Sequence, residues 1–343
     1  MAERICLLTR GSHDYGMGHL HRCCWMLEAL RDSGRDLHLQ VCCQSGEEAH
    51  ALLSSRGIHA SYADWLSMQH PLPECDLLLV DWLNCPVGFL YQCARSARRT
   101  MLLDDYGPET TQADVCLRSL LADIAPAHGR EGRAEVYSGI TYLQLSPELL
   151  RIRYGAEASQ QAMATELSRP IERTPGPVHS IMLSFGGTPR LPQTEFALKL
   201  LRELEFAGRV IVKPAHPLTV IPAGLDVELH EDVEHFHELL SACDMCIIGG
   251  GLTLYEASFL GVPSLVLPVV DHQLATARKL NAAGCCLIGG KTDELNHNLA
   301  AGRLMELIGG ANLRGRMTHN STRLIDGFGL QRTLEIMFRL LGS

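Results

Sequence analysis

The sequence predicts an α/β protein built as two doubly wound, Rossmann-like domains facing a cleft. Three observations carry that expectation. Short apolar runs alternate with helix-period segments from residue 4 to residue 104, and the alternation restarts at residue 180; strands alternating with helices imply parallel sheets covered on both faces. Between the two series lies 168–179, SRPIERTPGPVH, whose three prolines and glycine have the composition of a linker. Apolar runs lead directly into glycine-bearing loops and then helices, the order in which such domains place ligands at the carboxyl ends of their strands.

The elements follow in chain order. Residues 4–9 form a first buried strand, 10–18 a polar loop, and 19–33 a helix with Trp25, Met26, Ala29 and Leu30 on one face, stopped by Gly34. Residues 36–43 are a strand and 46–56 a helix ended by Gly57. The runs 76–81 (DLLLVD) and 99–104 (RTMLLD) are buried strands, each ending in an acid. Segments 114–118 and 141–145 read as two more strands, and 127–138 as a polar, mobile stretch. In the second half, strand 180–184 enters Phe185-Gly186-Gly187-Thr188. Helix 195–206, strands 209–213 and 227–229, and helix 233–242 come next, then strand 244–248 and Gly249-Gly250-Gly251. Helix 252–260, strand 264–269 and helices 272–283, 295–308 and 333–341 complete the series. The expected domains are 1–167 and 178–343, with the last helix packing back on the first.

Composition narrows the function. The 343 residues are 46% hydrophobic and 20% charged, an ordinary globular balance with room for two cores. A net charge of −9 opposes binding to nucleic acid or to an anionic membrane surface. No apolar run is long enough to span a bilayer, and MAERICLLTRG is too short for a secretory signal, so stable membrane insertion is not expected and a soluble, cytoplasmic protein is. The 13 cysteines lie mostly in apolar runs and read as reduced, buried small hydrophobes. No zinc spacing is present, and neither a metal nor a cofactor is expected.

Two segments carry chemistry. In residues 246–273 (CIIGGGLTLYEASFLGVPSLVLPVVDHQ) a buried strand runs into three glycines and a helix. Glycine lets a ligand approach the backbone, and the free N–H groups of the helix start favour an anion such as a diphosphate. Thr253 adds a hydroxyl. Glu256, a turn inside the helix, is placed to accept from two ribose hydroxyls, or simply to complement the helix dipole. Asp271-His272-Gln273 follows the next strand, where ligands or a helix cap belong. The second segment is Gly16-Met17-Gly18-His19-Leu20-His21-Arg22, after the first strand. His21 stands where a dinucleotide fingerprint needs its third glycine. His19 falls at a helix start, where the partial positive charge disfavours the imidazolium and so suits a general base; a polar helix-start residue without chemistry fits the position equally. His19 and His21 face apart on a helix and do not share a metal.

The 246–273 segment resembles the donor-nucleotide motif of the peptidoglycan glucosaminyltransferase and its relatives of the glycosyltransferase-B fold. There a glycine turn, a Leu-Thr pair, a Glu three residues later and a Gln after the next strand cradle UDP. The resemblance places Gly250, Gly251, Leu252, Thr253, Glu256 and Gln273 in the nucleotide site. Gly-x-Gly-His-x-x-Arg resembles the N-terminal motif of the UDP-sugar hydrolase of pseudaminic acid biosynthesis, in which this histidine is the catalytic base. Residues 4–22, 78–81, 102–105 and 183–188 (LSFGGT) match that family along the chain. The resemblance implies His19 as base; Gly16, Gly18, Arg22, Asp81 and Asp105 on the sugar; and Gly186, Gly187 and Thr188 on the nucleotide. The chain departs from the pattern at Trp82-Leu83-Asn84, where the family has His-Tyr-Gly, and at Leu145-Ser146-Pro147-Glu148, which lacks an arginine.

The expected activity is therefore inverting hydrolysis of a UDP-linked amino-deoxy sugar, with water activated by His19. Two alternatives stand beside it: a UDP-sugar-dependent glycosyltransferase of surface glycan synthesis, and a non-catalytic nucleotide-sugar binding protein. The sequence does not fix the oligomeric state.

Overall fold

A computed structural model describes residues 2–11, 17–44, 46–67, 71–82, 85, 88–120, 127–155, 176–185, 191–214, 218, 220–230, 235–290 and 296–342. The chain divides into two compact units: Met1–Ser146 with Gly327–Ser343, and Pro147–Asp326. Most of the proline-rich segment 168–179 lies outside the described residues.

The first unit comprises β1 (Glu3–Thr9), α1 (Gly18–Arg31), β2 (Leu37–Gln44), α2 (Glu47–Ser55), β3 (Ser61–Ala63), β4 (Cys75–Asp81), α3 (Phe89–Cys93), β5 (Ala97–Leu103), β6 (Val115–Arg118), β7 (Ala127–Glu131) and β8 (Ala134–Ser138). Its sheet has the order β3-β2-β1-β4-β5-β6-β8-β7. All neighbours are parallel except the β7–β8 pair. Side chains alternate across a strand, and β1 shows what two covered faces require. Ile5 and Leu7 join the core that includes Leu20, Met26 and Leu30 of α1, while Cys6 and Leu8 join a second core with Cys42, Val80 and Leu90. All 13 cysteines are free thiols and buried, six of them in that second core, where they act as small apolar side chains.

The second unit comprises α4 (Pro147–Tyr154), β9 (Ser180–Ser184), α5 (Leu191–Glu203), β10 (Arg209–Lys213), β11 (Asp226–Leu229), α6 (Phe236–Ala242), β12 (Met245–Ile248), α7 (Leu252–Phe259), β13 (Ser264–Val266), α8 (Asp271–Ala282), β14 (Leu287–Ile288), α9 (His297–Gly309) and α10 (Ala311–Leu324). Its sheet, β11-β10-β9-β12-β13-β14, is parallel throughout. The order repeats that of the first six strands of the other sheet. In each unit the first strand lies between the second and the fourth, so the connections diverge at β1/β4 and at β9/β12. A crevice opens at the carboxyl ends of such strands, and these two places position the sites described below.

Two stretches differ from the sequence expectation. Residues 141–145 are not a strand: Ile140–Tyr142 is a single 3-10 turn, and Leu143 and Leu145 are buried without pairing. Residues 127–138, expected as a polar, mobile stretch, form the β7–β8 hairpin, closed by Gly132-Arg133. Every residue of β7 is exposed, so no apolar alternation marks it in the sequence.

The last helix, α11 (Gly329–Leu341), belongs to the first unit. Leu334, Ile336 and Met337 enter its core, Arg332 Nη1 donates to the Thr141 carbonyl at 2.7 Å, and Gln144 Nε2 donates to Thr333 Oγ1 at 3.0 Å. Gly329 lies so close to Leu143 that a Cβ there would overlap the Leu143 carbonyl group. Because backbone must move to admit it, Gly329→Ala is expected to destabilise the protein by about 1–3 kcal/mol in urea unfolding. An unchanged midpoint would show that α11 does not depend on this approach.

Candidate functional site

In the first unit the site is built at the ends of β1, β4 and β5. Helix α1 follows β1 and places His19 and Arg22, three residues apart, on one face. His21 turns elsewhere and lies beside Trp25, ring centroids 6.2 Å apart. His19 Nδ1 is 2.6 Å from Asp81 Oδ1 at the end of β4. An ionised carboxylate only accepts, so the Nδ1 proton donates to Asp81 and leaves Nε2 with its lone pair. This is the orientation a general base needs, with the carboxylate fixing the tautomer.

Arg22 holds the arrangement together. It is 2% exposed. Its Nε donates to Asp81 Oδ2 at 3.1 Å, Nη2 donates to Asp81 Oδ1, and Nη1 donates to Asp104 Oδ2. Asp104, immediately after β5, has φ +51°, a left-handed conformation that aspartate tolerates better than most residues. Its Oδ1 also accepts from the backbone N–H of Ser119 at 2.6 Å and of Leu120 at 2.8 Å. Burial acts to raise the Asp81 carboxyl, but the charge of Arg22 and the hydrogen bonds from His19 and Arg22 outweigh it and hold the group below its ordinary value. Burial likewise acts to lower Arg22, and the two carboxylates reverse this and raise it.

The structure thus brings together His19, Arg22 and Asp81, and adds Asp104. Asp105 is spent on the loop: Oδ2 accepts from Cys85 N at 3.1 Å and Oδ1 from Gly107 N at 2.8 Å. Gly18 opens α1, whereas Gly16 lies outside the described residues. Trp82 is buried, 5.5 Å from the Phe89 ring and with the Arg10 guanidinium 4.9 Å above it; Leu83 and Asn84 are outside the described residues.

In the second unit, β12 runs into Gly249–Gly251 and α7. Gln273, on the first turn of α8, braces this turn: its Oε1 accepts from Gly250 N at 3.2 Å and from Val269 N at 2.9 Å. Only glycine fits at 250, because a Cβ would overlap the Gln273 carbonyl and lie 2.9 Å from the Gln273 Cβ. Gln273 therefore supports the turn with its oxygen and keeps only Nε2 for a ligand. Among the described residues no partner takes the N–H groups of Gly251, Leu252 and Thr253. They are free donors at the positive end of a helix, suited to a phosphate oxygen. Gly186, Gly187 and Thr188 lie outside the described residues.

Glu256, 6% exposed on the second turn of α7, has a partner the sequence did not indicate. His237 of α6 places Nε2 3.2 Å from Glu256 Oε1 and Nδ1 2.8 Å from Glu148 Oε2 of α4. Both ring nitrogens face acceptors, so the ring is doubly protonated. Burial works to lower this imidazole, and hydrogen bonds and charge from Glu256 and Glu148 override it, taking it to about 9. No local motif marks His237 or Glu148, whose meeting depends on elements 89 residues apart. Asp104, by contrast, shares with Asp81 the position at the end of an apolar run. Among the described residues no group of three or more His, Cys, Asp or Glu is placed to hold a metal, and no helix is long and apolar enough to cross a membrane.

Comparison with known proteins fixes the fold. No protein-family model matches the chain. It is 21% identical to the spore coat polysaccharide biosynthesis protein SpsG of Bacillus subtilis over 344 residues, 96% of either chain. MurG of Acinetobacter baumannii superposes with a TM-score of 0.68 at 13% identity, covering 98% of this chain and 99% of that one. The UDP-GlcNAc 2-epimerase of Neisseria meningitidis, bound to UDP-GlcNAc, superposes at 0.58 with 14% identity, covering 98% and 100%. The chain has the two-domain glycosyltransferase-B fold. These matches correct the expectation of a UDP-releasing hydrolase of pseudaminic acid biosynthesis. The proteins sharing the fold include calicheamicin and kitacinnamycin glycosyltransferases, a spinosyn rhamnosyltransferase and 2-epimerases. The motif misled for a chemical reason: a histidine that can deprotonate water is equally able to deprotonate a sugar hydroxyl, so a base beside the first strand does not specify the acceptor.

Two outcomes test the geometry. Arg22→Met leaves Asp81 and Asp104 buried without the guanidinium and is expected to cost about 3–5 kcal/mol at pH 7 in urea unfolding. A loss under about 1 kcal/mol at pH 7 contradicts the cluster. His237, raised from 6.5 to about 9, contributes stability that is fully present below its unfolded value and lost as pH rises through its folded value. The unfolding free energy should therefore fall between pH 7 and 9.5, and His237→Asn should remove that slope. Parallel curves for the two proteins contradict the bridge.

Proposed function

We propose that the chain is a UDP-sugar-dependent glycosyltransferase of surface glycan synthesis. The observation that carries this reading is the His19–Asp81 pair, a base of defined tautomer beside the switch point of the first unit. The free N–H groups of Gly251, Leu252 and Thr253 support a diphosphate in the second unit, and Glu256 supports a ribose. Among the fold relatives, an epimerase bound to UDP-GlcNAc and a calicheamicin glycosyltransferase support a UDP-sugar and glycosyl transfer, and SpsG, a spore coat polysaccharide biosynthesis protein, supports polysaccharide synthesis.

In the proposed reaction an acceptor hydroxyl attacks the anomeric carbon. The bond from carbon to acceptor oxygen forms as the bond from carbon to the diphosphate oxygen breaks, with inversion. His19 Nε2 takes the hydroxyl proton, and Asp81 stabilises the imidazolium that results. UDP leaves with the electron pair, its charge met by the N–H groups at the start of α7; each such preorganised donor is worth about 3–4 kcal/mol in the transition state. Arg22 relays no proton in this scheme. It sets the Asp81 carboxylate that orients His19.

A panel of UDP-sugars incubated with and without pooled glycan and lipid-linked acceptors tests the reading. A glycosylated product, with UDP formed in step with it, is expected only when an acceptor is present. UDP release that no acceptor accelerates would overturn the proposal. His19→Gln should lower kcat by about 10²–10⁴-fold with UDP affinity unchanged, and Glu256→Ala should weaken UDP binding. Full turnover in His19→Gln places the base elsewhere.

A further inference from the structure

We infer that His237 is a positioning residue of the nucleotide site: held as a doubly donating imidazolium between Glu148 and Glu256, it fixes Glu256 as the acceptor of a nucleoside cis-diol. The inference deepens the proposed function and rests on its assignment of Glu256 to the ribose.

The geometry starts from the carboxylate. Glu256 is 6% exposed, and burying a charge without a partner is costly. Its Oε1 accepts from His237 Nε2 at 3.2 Å. Its Oε2 carries no hydrogen bond among the described residues, yet is not sealed from solvent. A carboxylate serving only the core would have both oxygens occupied. Here one oxygen is anchored and the other is left open, one helical turn from the free N–H groups of Leu252 and Thr253.

The charges around His237 come from four elements. Glu148 faces it from α4 and Glu256 from α7. Lys213, at the end of β10, is pushed down by burial and back up by Glu256. On α6 itself, exposed His235 and Glu238 pair with each other at 3.4 Å. Two carboxylates thus meet two cations. Loss of the imidazolium proton leaves the cluster one positive charge short and releases Glu256 Oε1 from its anchor. His237 also lies edge-on to Phe236, with ring centroids 5.4 Å apart, which limits its rotation.

Calorimetric titration of UDP and 2′-deoxy-UDP into the wild type, His237→Gln and Glu148→Gln tests the inference. The ratio of the two affinities cancels the titration of the shared uracil and diphosphate. The wild type should prefer UDP by about 10–100-fold, the worth of a hydrogen bond to a charged acceptor. His237→Gln should lose most of that preference while binding 2′-deoxy-UDP as tightly as the wild type. The wild-type preference should fall as pH rises through about 9, and Glu148→Gln should move that fall to lower pH. A full preference in His237→Gln, or equal weakening of both ligands, overturns the positioning role. If His237→Gln does not fold, the pH at which Glu148→Gln loses its preference decides: an unmoved profile overturns the inference. A wild type that binds UDP without preference overturns this inference alone, whereas one that does not bind UDP overturns the nucleotide-sugar reading with it.

Discussion

The guanidinium of Arg22, buried at the carboxyl edge of the first sheet, is the interaction on which the candidate base depends. It reaches Asp81 at the end of β4 and Asp104 just after β5. A guanidinium buried this deeply needs partners of opposite charge, and the two carboxylates supply them. Because Asp81 is fixed from one side by Arg22, its remaining hydrogen-bonding capacity is directed at His19. The side chain of the helix thus ties two strand ends together, and the orientation of His19 follows from the same contacts that allow the charges to be buried.

The second unit solves the corresponding problem without a buried ion at its turn. Backbone does the work there: Gln273 braces Gly250 and the strand end at Val269, and the start of α7 keeps its donors free. The requirement for glycine at 250 comes from the approach of α8 as much as from any ligand. A glycine turn in such a sequence is therefore a packing signal in its own right. The charged part of this unit lies one turn deeper, where Glu256, His237 and Glu148 join α7, α6 and α4.

Much of the fold was legible because its strands are buried on both faces and therefore read as continuous apolar runs. Helix α1 was legible through its apolar stripe and the glycine that ends it. The β7–β8 hairpin was not, because its outer strand is exposed along its whole length. Helix α10 escaped for the opposite reason: Arg314, Thr318, Ser321 and Thr322 are buried, so its inner face looks polar in sequence. Those groups are satisfied by carbonyls, as Arg314 is by Leu307 and Ile308, and Thr318 by Gly261. At the site, His19, Arg22 and Asp81 stood out by motif and by strand ends. The structure sets Asp104, not Asp105, against Arg22, because a left-handed turn of one residue decides which acid of the pair points inward. His237, beside Phe236 in a helix, carries no mark in the sequence beyond that of a surface or packing residue, since its meaning lies in carboxylates 19 and 89 residues away.

The proposed function requires that the second unit hold the UDP moiety on the start of α7. A crystal structure of the protein soaked with UDP tests it most directly. The account predicts diphosphate oxygens within hydrogen-bond distance of the N–H groups of Gly251, Leu252 and Thr253, with ribose hydroxyls on Glu256 Oε2. UDP bound away from α7, or with its ribose turned from Glu256, would contradict it.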